Sequence, residues 1–215
     1  MVLARFAETL ASLVCFLSLG IVTAVAAIIG RTRDQRANEA LLLLPLHRSS
    51  LATGTALGSF PVVAVQLLAG IGVFVVVGTL PLPRLAIPAG VVVGGLAGTL
   101  LGALLLAAVA SGLGVLAGAI GVGGDDAVAV GDFLAAPYLA LGLVLFVAPE
   151  LEASVPLLLT PVLGGALLVR DALLGTATPA NAALVAGSSL VATAVLVRLA
   201  AWRLGDDRQV LRAVA

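Results

Sequence analysis

Long apolar runs, separated by short polar connections, most constrain what this sequence can fold into. The chain is 61% hydrophobic and 10% charged, whereas soluble domains carry about 25% charged residues. This number of charges is too small to cover a water-soluble surface. A polytopic protein of the cell membrane is therefore expected. The predicted fold class is an all-α bundle forming one transmembrane domain, with spans at 8–30, 51–80, 89–120, 126–148 and 180–202.

One segment, Arg31 to Ser50, concentrates charge between the first two runs. It holds four arginines, two acids and the single histidine of the chain. Short arginine-rich loops favour the cytoplasm, so the segment is predicted to be a cytoplasmic amphipathic element, with the N-terminus outside. The alternative is a signal peptide, with Arg5 before the apolar run and small residues at 24–26 as the cleavage site. Cleavage there would place Arg31 and Arg33 outside the cell, which contradicts the preference of short arginine-rich segments for the cytoplasm.

The segment at 150–179 decides the topology. If it crossed the membrane, the C-terminal tail would lie on the outer side and not in the cytoplasm. Pro156, Pro161 and a glycine pair interrupt its apolar core. The arginines of the tail should share the cytoplasmic side with those of 31–50, so an even number of spans separates them. Four other runs satisfy this count, and 150–179 is therefore predicted to be a re-entrant or interfacial hairpin at the outer face. Broken backbone at that depth must be buried in protein or line a cavity, which makes the hairpin a candidate gate.

Glycines recur at every fourth position of the third run. The ridge consists of Gly90, Gly94, Gly98 and Gly102, and the spacing returns at Gly114 and Gly118. Because four residues turn the helix by about 400°, the ridge winds slowly around it. Small residues let another backbone approach closely, so the ridge predicts tight helix packing within the subunit or across a dimer.

Two residues of the second run interrupt its apolar character. Pro61 is expected to kink or break the helix. Gln66 is strongly polar and deep in the span. It is expected either to make an interhelical hydrogen bond or to line a transport pathway.

Groups for catalysis or for autonomous energy coupling are sparse. The chain has no GxxxxGK[ST] phosphate loop, so it is not expected to hydrolyse ATP. One histidine and one cysteine, far apart, predict no metal site and no nucleophile–base pair, and no cofactor is expected. The strongly apolar parts of the spans, which begin at Leu10 in the first and at Phe133 in the fourth, hold no Asp or Glu, and this disfavours a proton-coupled carrier. Net charge is zero, so nothing indicates nucleic acid as a partner.

The adjacent pair Arg170–Asp171 is the charged feature of the predicted hairpin. At the headgroup level, such a pair would be a surface ion pair that contributes little to stability. Within a gate, it would contact the substrate or control opening. Both interpretations stay open at this stage.

The charged segment resembles a known motif through Asp34, Glu39, the leucines at 41–43, Pro45 and Arg48. The motif belongs to the type-2 permease superfamily of ABC exporters, especially its NatB-like sodium-extrusion branch. In that family, acids followed by leucines and a proline lie between two spans and meet the ATPase subunit. The stretch TPVLGGALLVRDALLG at 160–175 is similar to the family's late Arg-Asp-x-Leu-Leu-x-Gly segment, which precedes the last span.

This resemblance covers nearly the whole chain, as the C-terminal portion of such a permease. It implies a membrane-spanning permease subunit of an ABC transporter, an exporter, driven by a separate ATPase subunit and paired with a second copy or a related permease. Three positions depart from the motif: Arg36 stands at the usual glycine, Ala37 at the threonine and Leu44 at the Ser/Thr. The residues implied in ATPase coupling are Arg33, Asp34, Arg36, Glu39, Pro45 and Arg48.

Two other functions compete with transport. A membrane scaffold or assembly factor needs no energy source, and a neighbouring gene that encodes a phosphate-binding loop would argue against it. A small intramembrane enzyme is disfavoured, because the predicted spans contain no paired polar catalytic groups.

The predicted topology places the C-terminus in the cytoplasm. A reporter fused after Ala215 should therefore give a cytoplasmic signal, because the arginine-rich tail stays on the side of the 31–50 segment. A paired alkaline phosphatase and fluorescent-protein fusion measures this. An external signal would mean that 150–179 crosses the membrane.

Overall fold

Seven helices make up the part of the chain that the computed structural model describes, residues 2–34, 48–79, 89–121, 123–147 and 154–214. No strand occurs within these ranges, which confirms the all-α fold class. The helices are α1 Val2–Asp34, α2 Arg48–Thr79, α3 Ala89–Ile120, α4 Gly124–Val147, α5 Val155–Leu158, α6 Pro161–Leu174 and α7 Pro179–Val214.

Five of these helices are long and apolar enough to cross a membrane. A crossing of a ~30 Å hydrocarbon core needs about 20 apolar residues, a length that α5 and α6 do not reach. The apolar stretches of the five long helices are Ala7–Arg31, Ala52–Gly70, Gly95–Ile120, Gly124–Val144 and Pro179–Leu204.

Helix α3 forms the centre of the bundle. It packs against α1, α2, α4, α6 and α7, and 72% of its apolar stretch is buried, against 11% for α7. Its hydrophobicity is nearly uniform around the axis, as expected for a helix surrounded by others. The peripheral helices α2, α4 and α7 expose most of their apolar stretches.

The described glycines of the ridge bring α3 against α6. A Cβ added to Gly102 would lie 2.7 Å from Val169 Cγ2 and 3.0 Å from the carbonyl oxygen of Gly165. A Cβ added to Gly98 would collide with Ala172 Cβ. Only the absence of side chains therefore lets the two backbones approach so closely. The contacts of the two remaining ridge glycines, Gly90 and Gly94, lie outside the described part of the structure.

The later glycines of α3, Gly114 and Gly118, lie against a second helix. A Cβ on Gly114 would lie 2.5 Å from Val25 Cβ, and one on Gly118 would lie 2.6 Å from Ile29 Cβ. Both contacted residues belong to α1. The same helix thus uses glycines at its start against α6 and glycines at its end against α1.

A short turn connects α3 to α4. The Gly121 N–H donates to the Ala117 carbonyl, and the Ala127 N–H donates to the Gly123 carbonyl, both over 2.9 Å. A Cβ on Gly121 would lie 2.5 Å from the backbone of Ala127, so the turn requires glycine there. Acids in the first turn of α4, Asp125 and Asp126, interact favourably with the positive end of its helix dipole.

Pro61 lies inside α2, which runs unbroken from Arg48 to Thr79. Of the two expectations, the break is therefore wrong, and the kink stays a prediction. Proline removes only one backbone donor of the helix, and membrane helices tolerate it. Pro137 likewise lies inside a continuous helix, α4.

The predicted hairpin at 150–179 contains two described helices, α5 and α6, joined by a tight turn. The Gly164 N–H donates to the Thr160 carbonyl over 2.7 Å, and Gly164 lies directly against the Leu158 carbonyl oxygen. Helix α6 starts near the middle of α3, where Gly165 contacts Leu106, and ends near Gly95 at the start of the described α3 side chains.

Gly98→Ala is expected to destabilise the bundle by about 1–3 kcal/mol, because the added methyl forces α3 away from Ala172. Gly54→Ala is the matched control, since a Cβ there has nothing within 4 Å and alanine favours a helix by about 0.5–1 kcal/mol. Denaturant unfolding in detergent measures both variants. Equal stability of the two variants would contradict the close α3–α6 contact.

Candidate functional site

An ion pair is buried on the last turns of α6. Arg170 donates from Nε over 3.0 Å and from a terminal guanidinium nitrogen over 2.9 Å, both to Asp171 Oδ1. The two side chains are only 10% and 9% exposed. Adjacent helical residues do not normally face each other, so the long arginine side chain bends back to reach its neighbour. The resulting pair compensates its charges inside an apolar bundle.

Helix α6 is enclosed almost completely. Every residue from Val162 to Ala172 is buried, and the helix packs against α1, α3 and α7. A buried charge is tolerated only when it is paired and hydrogen-bonded. The ion pair is therefore a buried feature of the core, which excludes the surface pair considered from sequence.

The end of α6 fixes the backbone at Asp171. Gly175 is left-handed, with φ 72°, and its N–H donates to the Ala172 carbonyl. The Thr176 N–H donates to the Asp171 carbonyl over 2.8 Å, which completes a Schellman cap. Because the cap ties down the residue that carries the carboxylate, the ion pair has a rigid frame.

An open, mostly apolar groove lies beside the turn between α5 and α6. Its volume is about 560 Å³. The Ser188 hydroxyl donates to the Leu158 carbonyl over 3.4 Å at its edge. Its lining consists of Leu159, Pro161, Ala183, Leu184, Gly187, Ser188, Val191 and Ala192.

The predicted coupling residues lie at helix ends or beyond them. Arg33 and Asp34 belong to the last turn of α1, and Arg48 begins α2. Their side chains lie outside the described part of the structure. Arg36, Glu39 and Pro45 fall within 35–47, outside the described residues.

Gln66 is separated from the buried ion pair. It is exposed on α2, a helix that packs mainly against α3, α7 and α1. The polar connection between α2 and α3 is instead made by serines. Ser111 donates to the Ala56 carbonyl over 3.0 Å, and its hydroxyl is 2.7 Å from that of Ser59.

Asp132 is a membrane carboxylate that hydropathy alone does not indicate. The sequence predicts a connection at 121–132, but α4 begins at Gly124 and its apolar stretch runs to Val144. Asp132 therefore lies inside a candidate span, and the expectation of spans without carboxylates is wrong. The Thr23 hydroxyl donates to Asp132 Oδ1 over 2.9 Å. A count of acids across the full predicted span 126–148 would have found it.

Comparison with protein-family models and with curated proteins gives no match. The family resemblance therefore rests on the residues of this chain alone. Within the described ranges, no three His, Cys, Asp or Glu residues are grouped so that they could hold a metal ion.

Replacing Asp171 by Asn removes the carboxylate charge beside the buried guanidinium of Arg170. The variant is expected to lose about 3–5 kcal/mol of stability, because the guanidinium then stays buried without that compensating charge. Denaturant unfolding in detergent measures the loss.

The control is the double variant Arg170→Met/Asp171→Leu, which replaces the pair by apolar side chains of similar size. It should recover most of the loss, since apolar replacement of a buried pair is often neutral or stabilising. If the single variant is as stable as the unsubstituted protein, the pair is not shielded from water.

Proposed function

We propose that this chain is the membrane-spanning permease subunit of an ABC transporter, an exporter driven by a separate ATPase subunit. The observation that carries the proposal is the order of its elements. A charged segment joins the first two long helices, and a short buried helix with the Arg170–Asp171 pair directly precedes the last one. This is the order that the family resemblance implies.

In this proposal, the segment at 31–50 is the cytoplasmic coupling element that docks on the ATPase. Helix α1 is continuous from Val2 to Asp34, so it links the segment directly to the bundle. Docking residues placed at the end of such a helix transmit a displacement as a rigid body. The candidate contacts are the charged residues Arg33, Asp34, Arg36 and Glu39.

The short helices α5 and α6 form the re-entrant element in this proposal. The burial of α6 from Val162 to Ala172 supports it, because non-spanning backbone at membrane depth must be covered by protein. Helix α6 starts beside Leu106 and ends near Gly95, so it runs from the middle of α3 towards the start of that helix, as the returning arm of a re-entrant element would. The N-terminus is then outside, the C-terminus is cytoplasmic, and the ion pair lies towards the outer end, where a gate would be.

The pathway requires a second subunit, either another copy of this chain or a related permease. A single copy offers no enclosed channel in its described part, since α3 and α6 fill the centre of the bundle. Two copies would form the pathway between them. Gln66, exposed on α2, keeps its two predicted roles, as a pathway residue or as a hydrogen-bonding group between helices.

Asp34→Ala and Glu39→Ala are expected to weaken association with the ATPase about ten-fold or more, because each removes a charge from the docking contact. The full chain is co-expressed with a candidate ATPase, a protein that carries a phosphate-binding loop. Co-purification yield and the ATP hydrolysis that the permease stimulates are then measured.

Glu8→Ala is the matched control, since Glu8 lies near the opposite end of α1. It should leave both association and stimulated hydrolysis unchanged. Unchanged association in the Asp34 and Glu39 variants would remove the docking role. A chain that binds no ATPase would favour the scaffold function instead.

A further inference from the structure

Asp132 lies near the middle of a candidate membrane span. The apolar stretch of α4 runs from Gly124 to Val144, and eight residues of helix place Asp132 about 12 Å from its start. Contacts to α1 give the same depth. Gly131 lies against Thr23 and Ala26, and Thr23 is also eight residues, or about 12 Å, from the end of its own stretch at Arg31.

The carboxylate of Asp132 is on the outer surface of the bundle. Asp132 is exposed, as are Ala24 on the adjacent turn of α1 and Ala136 one turn further along α4. An ionised group facing hydrocarbon at this depth is strongly unfavourable, and such residues face a protein interior or a water-filled cavity instead. Lipid therefore does not cover this face at the level of Asp132.

The neighbours of Asp132 supply only part of its hydrogen bonding. An ionised carboxylate offers about four acceptor positions, and the Thr23 hydroxyl occupies one of them. The side chains of the exposed neighbours Ala24, Ala136 and Phe133 contain no polar hydrogen. Water is the donor that fits the remaining acceptor positions.

We propose that Asp132 and Thr23 line a water-filled passage along the face formed by α1 and α4, and that Asp132 binds the positively charged group of a solute in this passage. The carboxylate provides the counter-charge, and the Thr23 hydroxyl fixes its orientation. Ser12 lies further towards the start of α1 and makes a second bond between the two helices. Its hydroxyl donates to the Gly142 carbonyl of α4 over 3.1 Å. This second bond holds α1 and α4 together, so the site has a rigid wall.

The inference rests on the proposed function in one respect, because a second permease subunit would supply the wall that separates this water from lipid.

The charge of the carboxylate determines which class of solute this site would bind. A single carboxylate in a narrow aqueous site attracts cations and repels anions, and low dielectric surroundings strengthen this preference.

Cysteine accessibility tests the passage in membrane vesicles that contain the full chain. The one native cysteine, Cys15, is fully buried and is replaced by Ala. Ala136→Cys then places a thiol one turn from Asp132. Its reaction rates with the cationic reagent MTSET and the anionic reagent MTSES are measured with and without Asp132→Asn.

The thiol at position 136 is expected to react with MTSET, and the ratio of MTSET to MTSES rates should fall about ten-fold or more in Asp132→Asn, because the attracting charge is lost. Asp125→Asn removes an exposed charge at the start of α4 and should leave the ratio almost unchanged. Ala194→Cys is the matched position on α7, the least buried long helix, and should react with neither reagent.

Three results would overturn the proposal: no reaction at position 136, equal reaction at positions 136 and 194, or a rate ratio that Asp132→Asn leaves unchanged. Size-exclusion profiles of each variant identify a failure to fold. In that case the reaction at position 136 with Asp132 in place still tests the charge, because MTSET should react faster than MTSES there. The ATPase is absent from this experiment. Charge-selective access at position 136 together with failed ATPase docking would therefore refute the proposed function alone.

Discussion

The close contact between α3 and α6 is the interaction on which the rest of the structure depends. Gly98 and Gly102 let the backbone of α6 lie against α3, and this contact buries α6 along nearly its whole length. Backbone polar groups in such a position cannot be satisfied by bulk water. The helical bonds of α6 and the glycine cap at its end satisfy them internally, so a helix too short to span can occupy the core.

Hydrophobicity and spacing were sufficient to predict the architecture. Few charges and long apolar runs predict an all-helical bundle with five long apolar helices, and the structure confirms both. The regular glycines mark a surface for close approach, but a small-residue pattern contains no information about its partner. That α6 meets Gly98 and that α1 meets Gly118 depends on tertiary packing. Pro61 shows the opposite case, because α2 is continuous through a residue with a strong local preference against helix.

The candidate site was only partly visible in the sequence. The sequence shows directly that Arg170 and Asp171 are adjacent, whereas their burial depends on the helices packed around α6. Asp132 escapes a hydropathy criterion because strong apolarity begins only at Phe133, although the span itself is predicted to begin at 126. The glycine turn at 121–123 and the acids that follow it set the helix start, close to that prediction. A polar residue after the true helix start belongs to the span.

Gly30 brings the end of α1 into close contact with the turn between α3 and α4. A Cβ on Gly30 would lie 2.7 Å from Gly124 Cα and 2.9 Å from the Gly123 carbonyl oxygen, so α1 is locked against the α3–α4 turn just before the charged segment begins. Interiors packed at this density do not deform continuously. A displacement of the end of α1 would therefore also displace the start of α4, because the two backbones are in direct contact at this glycine.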